Sequence, residues 1–277
     1  MAGMNTVDLS SWLDFEAAVR DLERRRRELE SKTSRSFGVQ LFRGLGSSTW
    51  GLETTLERSY PLEASGETIG LSEYYRDVCA SKSVVETFTE RQWDGLPDTP
   101  DFSQLLADFA TLGAQLFFSK HIDVYRYFVY LRHHGFASPL LDWTASPYIA
   151  AFFAFDSMPE DAEYVSIYAM SRDSLRVTSS GTPDIKILGP YVRSHRRHLP
   201  PTEPVLYLPG MVSGSSVPPA RRGNGNCRRS RDRRRTVQIE HPGARDGTQA
   251  LKNLDLMNVN GFSLFARRER LLRRSSV

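Results

Sequence analysis

Trp12, Phe15, Val19 and Leu22 recur at helical spacing, which predicts a helix with one apolar face. Ser10 and Ser11 stand where its N-cap belongs, and Asp14 falls in its first turn. The pattern then changes. Val39 to Arg43 reads as a short strand ended by Gly44. After a flexible Gly46-Ser47-Ser48 turn, Trp50 to Leu56 reads as a second strand. Helical spacing resumes with Leu71, Tyr74, Val78, Val84, Val85 and Phe88, predicting a helix from about Ser72 to Gln92 that ends at the GLPDTP turn. Further helices are predicted over Phe102 to Ala110 and Ile122 to His134. The last carries Tyr125, Tyr127, Phe128 and Tyr130, a stripe that suits a core more than a platform for stacked bases.

The stretch Arg132 to Phe155 is the densest in signals. Gly135 stops a helix as a C′ glycine. Pro139 to Trp143 reads as a short strand. Thr144 or Ser146 caps a new helix with Pro147 in its first turn. Tyr148 to Phe155 is apolar nearly all round and is expected to be buried. Tyr164 to Met170 follows as a strand. From Gln249 the chain is helix-like, with Leu251, Leu254 and Met257 on one face, and then strand-like. Together these elements predict an α+β single domain with a small mixed or antiparallel sheet and several helices. The expected organisation is an N-terminal helix (1–35), the main domain (36–198), an Arg/Pro/Gly-rich disordered segment (199–248) and a C-terminal helix-strand remnant with a tail (249–277).

Charge sharpens that division. The net charge of the 277 residues is +3. Residues 1–198 carry 21 Lys and Arg against 27 Asp and Glu, and residues 199–277 carry 15 against 6. The run RRGNGNCRRSRDRRR holds eight arginines in fifteen residues and no periodicity, the composition of a chain that cannot build a core. Nucleic-acid binding by this segment is a minor alternative. Arg24 to Arg27, followed by Glu28 and Glu30, reads either as a phosphate patch or as a solvated helix face laced with ion pairs. No apolar run approaches the ~20 residues of a spanning helix, and the N-terminus has no secretory pattern. The two cysteines, Cys79 and Cys227, are far apart, which suits a reducing compartment and excludes a cysteine-rich metal site. A cytoplasmic protein with no membrane partner is expected.

Two places carry candidate chemistry. Arg43 ends a strand beside Gly44, where a guanidinium can fork onto a phosphate or carboxylate and a glycine lets a ligand approach the backbone; pairing with a structural carboxylate is the alternative. His133, His134, Asp142, Trp143, Thr144 and Ser146 gather polar groups between two apolar runs. The two histidines and Asp142 form a conceivable acid–base set, or serve as caps and core partners. Adjacent histidines on a helix do not converge on one metal, and the chain has neither a Gly-x-Ser-x-Gly elbow nor a His-Glu-x-x-His helix. Asp142 is expected to pair with Arg43 or a nearby histidine. Arg43 and the 133–146 segment are expected on one cleft wall.

At Leu41-Phe42-Arg43-Gly44, and at His133-His134-Gly135 through Leu140-Leu141-Asp142-Trp143-Thr144 and Ser146-Pro147, the chain resembles the FRG domain. That family is named for its (Phe/Tyr)-Arg-Gly motif. Arg132 stands where glutamine is common, and Ala137-Ser138-Pro139 replaces the usual Pro-Thr-Arg. The resemblance covers about residues 38–198 and 249–265, and the family is functionally uncharacterised. It also implies a Gln-Gln segment after Arg196-Arg197-His198. Codons can be chosen for Leu199 to Tyr207 that, read one base later, spell such a segment, so Leu199 to about Gly247 is expected to be a shifted reading frame. A more distant likeness is to Arg-Ser-Glu-type ADP-ribosyltransferases, through Arg43-Gly44 and through Trp143-Thr144-Ala145-Ser146 ahead of an Ala/Phe-rich helix. It implies NAD as ligand, Arg43 on its phosphates, Thr144 or Ser146 bracing the nicotinamide pocket, and a catalytic glutamate that cannot be assigned here; the chain would then be inactive. The alternative is a non-catalytic nucleotide- or ligand-binding module.

Overall fold

A computed structural model describes residues 5–33, 40–59, 71–96, 120–171, 185–187, 202–207 and 236–265. The helices predicted over Phe102 to Ala110 and the arginine-rich run lie outside these residues. The described strands are β1 (Asn5–Asp8), β2 (Gln40–Leu45), β3 (Leu140–Thr144), β4 (Tyr164–Ser171), β5 (Ile185–Ile187), β6 (Thr202–Tyr207) and β7 (Thr236–Pro242). The described helices are α1 (Trp12–Thr33), α2 (Thr55–Ser59), α3 (Leu71–Thr89), α4 (Ile122–His133), α5 (Pro147–Asp156), α6 (Gly243–Leu256) and α7 (Gly261–Phe265). The architecture is α+β. All seven strands form one sheet in the order β1-β7-β4-β2-β3-β6-β5. β1 runs parallel to β7 and every other pairing is antiparallel, so the sheet is mixed and larger than the pattern predicts.

The caps explain where the helices begin. Ser11 Oγ accepts the Asp14 N–H at 3.3 Å, while the Asp14 carboxylate accepts from the Ser10 backbone N–H and from both serine hydroxyls. This reciprocal arrangement satisfies the free donors of the first turn, and it holds the Asp14 carboxyl below its usual pKa. Along α1, Arg24 pairs with Asp21 and Glu28, Arg25 with Asp21, Arg26 with Glu23 and Glu30, and Arg27 with Glu23. The arginine run is thus the ion-paired helix face, and the Arg26 and Arg27 guanidinium groups hold Glu23 down to about 2.

One face of the sheet, presented by Phe42, Val165, Ile167 and Ala169, packs under α5, α1 and the C-terminal helices, with Trp12, Phe15, Phe152, Phe155, Ala250, Leu254 and Leu264 in that core. The α5 helix buries residues on every side, as its sequence predicts. The opposite face gathers Leu41, Leu45, Leu141, Trp143, Tyr168 and Met170, with Leu52 laid against it. A third core joins α2, α3 and α4 to Leu140, and the α4 aromatics Tyr125, Tyr127 and Phe128 belong to it.

Four expectations give way here. Trp50 to Leu56 is a loop leading into α2, because the Leu56 N–H donates to Ser138 O at 3.1 Å rather than to a strand. β2 continues through Gly44 and Leu45, which pair with Ile167 and Ser166 of β4. The strand-like end is α7, which Asn260 caps by accepting the Ser263 N–H at 2.9 Å; Met257 is 45% exposed rather than facing the core. Inside the segment expected to be disordered, β6 pairs with β3 over Leu140 to Thr144, and β7 pairs with β4 over Tyr164 to Met170. Helix α6 also starts there, ahead of Gln249. Backbone ladders do not require an amphipathic pattern, only an open strand edge beside them, which is why a composition argument misses them. The rest of 199–248 lies outside the described residues.

Candidate functional site

The site is built where β2 and β3 part. Their only registered pair is Phe42 with Thr144. Just past it, the Arg43 guanidinium closes the gap, its Nη1 donating to Asp142 O at 2.7 Å. The Asp142 carboxylate is taken by Arg132, with Nε donating to Oδ2 at 2.7 Å. Among the described residues, Arg43 therefore meets the backbone carbonyl of Asp142, and Arg132, which the sequence reading did not single out for the site, holds its carboxylate.

Arg132 is placed by the end of α4. Gly135 has φ +86°, its N–H donates to Arg132 O at 3.1 Å, and the Phe136 N–H donates to Leu131 O at 3.0 Å. These are the two bonds of a Schellman motif, which needs a left-handed residue at C′. The glycine stop read from the sequence thus aims Arg132 at β3. Arg58, in the last turn of α2, is a third arginine close enough to act on Arg43.

Burial pushes the Arg43 guanidinium down to about 10; the positive charge of Arg132 adds to this, Asp142 opposes it, and Arg58 lowers it further. Arg43 remains protonated at neutral pH. Its Nε is enclosed and has no hydrogen-bond partner. A buried donor left bare is costly, roughly 1–3 kcal/mol and more when charged.

Strand alternation divides the 133–146 segment, so it does not form one wall with Arg43. Leu141 and Trp143 join the face that carries Leu41 and Leu45, which by the period of two is also the Arg43 face. Thr144, opposite Phe42, lies on the other. Thr144 Oγ1 accepts the Ser146 N–H at 3.1 Å, and Ser146 Oγ accepts the Ile149 N–H at 3.4 Å as the N-cap of α5. Both hydroxyls serve the turn. Gly44 is not a window for a ligand either. A Cβ there would lie 1.9 Å from Ala150 O and 2.8 Å from Ala154 N, so the glycine is what lets α5 lie against β2.

His134 is exposed and stacks on Tyr130, ring centroids 4.3 Å apart. His133 ends α4, and its side chain lies outside the described residues. Among the described residues no three His, Cys, Asp or Glu side chains gather as a metal site requires. Two surface hollows of about 620 and 640 Å³ are lined from the N-terminal segment and α1 and contain none of these residues.

Residues 39–163 match the family described as the FRG domain. That span holds Arg43, Arg58, Arg132 and Asp142. No curated protein and no solved structure matches the chain. Among the described residues, no helix is long and apolar enough to cross a membrane.

Proposed function

We propose that this domain is a binding module for a phosphate-bearing ligand of the nucleotide class, held by Arg43 and Arg132. The observation that carries the reading is an enclosed guanidinium whose Nε has no partner among the described residues, with the Arg132 guanidinium near it. An anion would complete that donor, offset the repulsion between the arginines and reverse the penalty that depresses Arg43. The planar fork of an arginine suits bidentate phosphate binding. Asp142 then works as a counterweight, holding Arg132 in place while the site is empty.

NAD is the natural first ligand to try, given the likeness of Arg43-Gly44 to the first element of Arg-Ser-Glu-type ADP-ribosyltransferases. Transfer chemistry is not part of the proposal, because the turn and the α5 cap already account for Thr144 and Ser146. The test is calorimetric titration of the full chain with NAD, ADP and inorganic pyrophosphate. Saturable binding is expected, weakened at least tenfold in Arg43→Lys, which keeps the charge and loses the fork. Absence of binding at millimolar ligand refutes the reading, as does an affinity indifferent to Arg43→Lys and Arg132→Ala together.

A further inference from the structure

Arg43 Nε is not alone. Trp143 Nε1 and Ser166 Oγ are also buried without a hydrogen-bond partner, in residues only 3% and 0% exposed. The register sets the other two on either side of Arg43, on one face of the sheet. Arg43 lies opposite Tyr168, and Leu45 lies opposite Ser166, so Ser166 is the diagonal neighbour of Arg43, roughly 7–8 Å away for such a pair. On the other side, the Phe42–Thr144 pair makes Trp143 the residue beside Arg43. Trp143 and Tyr168 share one apolar cluster, so all three donors serve the same face of the sheet. A fourth unpartnered donor, Trp93 Nε1, lies apart in the helical core; three on one face of neighbouring strands are a concentrated cost.

That neighbourhood has a roof. The chain from Gly46 to Thr54 crosses it, with Leu52 packed on Leu41, Leu45, Trp143 and Tyr168. Its near end is anchored by the Ser48 N–H, which donates to Tyr164 O at 2.8 Å. Its far end is anchored where the Ser138 N–H donates to Thr55 Oγ1 at 2.9 Å. Between these anchors, Tyr168 Oη donates to Trp50 O at 3.3 Å, and the Trp50 side is 44% exposed. The segment is a strap tied at both ends, with Tyr168 at its middle.

We infer that the strap covers a second subsite, where Trp143 Nε1 and Ser166 Oγ donate to an uncharged acceptor, a carbonyl or carboxamide oxygen, on the ligand whose phosphate Arg43 takes. This rests on the phosphate-binding reading and adds the chemistry of the ligand's other end. An apolar floor with a few convergent donors is how such subsites orient a ligand. Access requires the middle of the strap to lift.

The experiment compares two probes by calorimetry, inorganic pyrophosphate as the anion alone and NAD as phosphates plus a carboxamide. Trp143→Phe keeps the ring and removes the N–H; Ser166→Ala removes the hydroxyl. Each is expected to weaken NAD at least fivefold and to leave pyrophosphate within twofold. In stopped-flow mixing, Tyr168→Phe is expected to raise the NAD on-rate at least threefold by freeing the strap. If both variants weaken the two probes equally, or leave NAD unchanged, the acceptor subsite is overturned while phosphate binding stands. An unchanged on-rate in Tyr168→Phe overturns the strap. Failure of pyrophosphate to bind the wild-type chain overturns the phosphate reading and the subsite with it.

Discussion

Gly44→Ala is the most direct test of how the site is held. The added Cβ would sit 1.9 Å from Ala150 O and 2.9 Å from Ala150 C. Those atoms are backbone inside α5, so no side-chain rotation relieves the clash. Contacts below 3.0 Å are essentially never seen for a real Cβ, so helix or strand must retreat by at least about 1 Å, loosening close packing on both sides. The helix buries Ile149, Ala150, Ala151, Phe152, Ala154 and Phe155. Overpacking typically costs about 1–3 kcal/mol, and a contact this short against helix backbone belongs at the top of that range. For a domain of this size about 3 kcal/mol lowers the melting temperature by roughly 6–12 °C. The assay is thermal unfolding followed by circular dichroism, with Gly51→Ala as control. A Cβ at Gly51 meets nothing closer than 3.8 Å, so that variant is expected within about 0.5 kcal/mol of wild type. A Gly44→Ala protein that melts with wild type would refute the close-approach argument and return Gly44 to the list of ligand contacts.

Asp142→Asn removes the carboxylate that holds Arg132 and opposes the depression of Arg43. The pair with Arg132 is part-buried, with side chains 11% and 35% exposed, so a loss of about 1–2 kcal/mol is expected, between exposed and buried ion pairs. Urea unfolding measures it, and added pyrophosphate is expected to recover part of the loss; wild-type stability in the variant contradicts the counterweight role. Burial raises the Cys79 thiol from 9.0 to about 11, against a small opposing effect of Lys82. Its thiolate fraction at pH 8 is therefore lower by roughly 100-fold, and peptide-resolved alkylation should be slower by a similar factor. The same shift sets a pH dependence: the folded chain holds this proton through pH 9–11 while the unfolded chain loses it, so this contribution to stability is full below pH 9 and falls away up to about pH 11. Alkylation as fast as a free thiol would contradict the burial. Ser146→Ala removes the α5 cap; with a 3.4 Å bond the cost belongs near the low end of the cap range, about 0.5–1 kcal/mol. A loss above ~2 kcal/mol in chemical unfolding would give that hydroxyl a further role.

Much of the local structure was legible because local chemistry sets it. The Ser11–Asp14 cap, the Gly135 stop, the Ser146-Pro147 start and the all-round apolar α5 follow from residues within one or two turns of each other. The site was half legible. Arg43 and Asp142 stood out as polar residues at strand ends, and the motif resemblance agreed with the FRG match over residues 39–163. Arg132 was visible as a departure from the motif, yet nothing in its own spacing pointed to Asp142. Arg58 gave no signal at all, since its effect on Arg43 depends on the fold bringing α2 near β2. Trp143 and Ser166 could be called orphans only once their neighbours were known.

The sequence by itself determined which residues start, stop and bury each element, because capping, glycine conformations and side-chain periodicity are short-range physics. It also marked Arg43 and Asp142 as candidates for the site's chemistry. The tertiary structure alone decided which face each residue serves and what it meets there. The β2–β3 parting set Arg43 on a carbonyl, strand alternation put Thr144 behind the sheet, and α5 filled the space beside Gly44. Pairing across a sheet depends on register between segments far apart in the chain, and no local pattern encodes that.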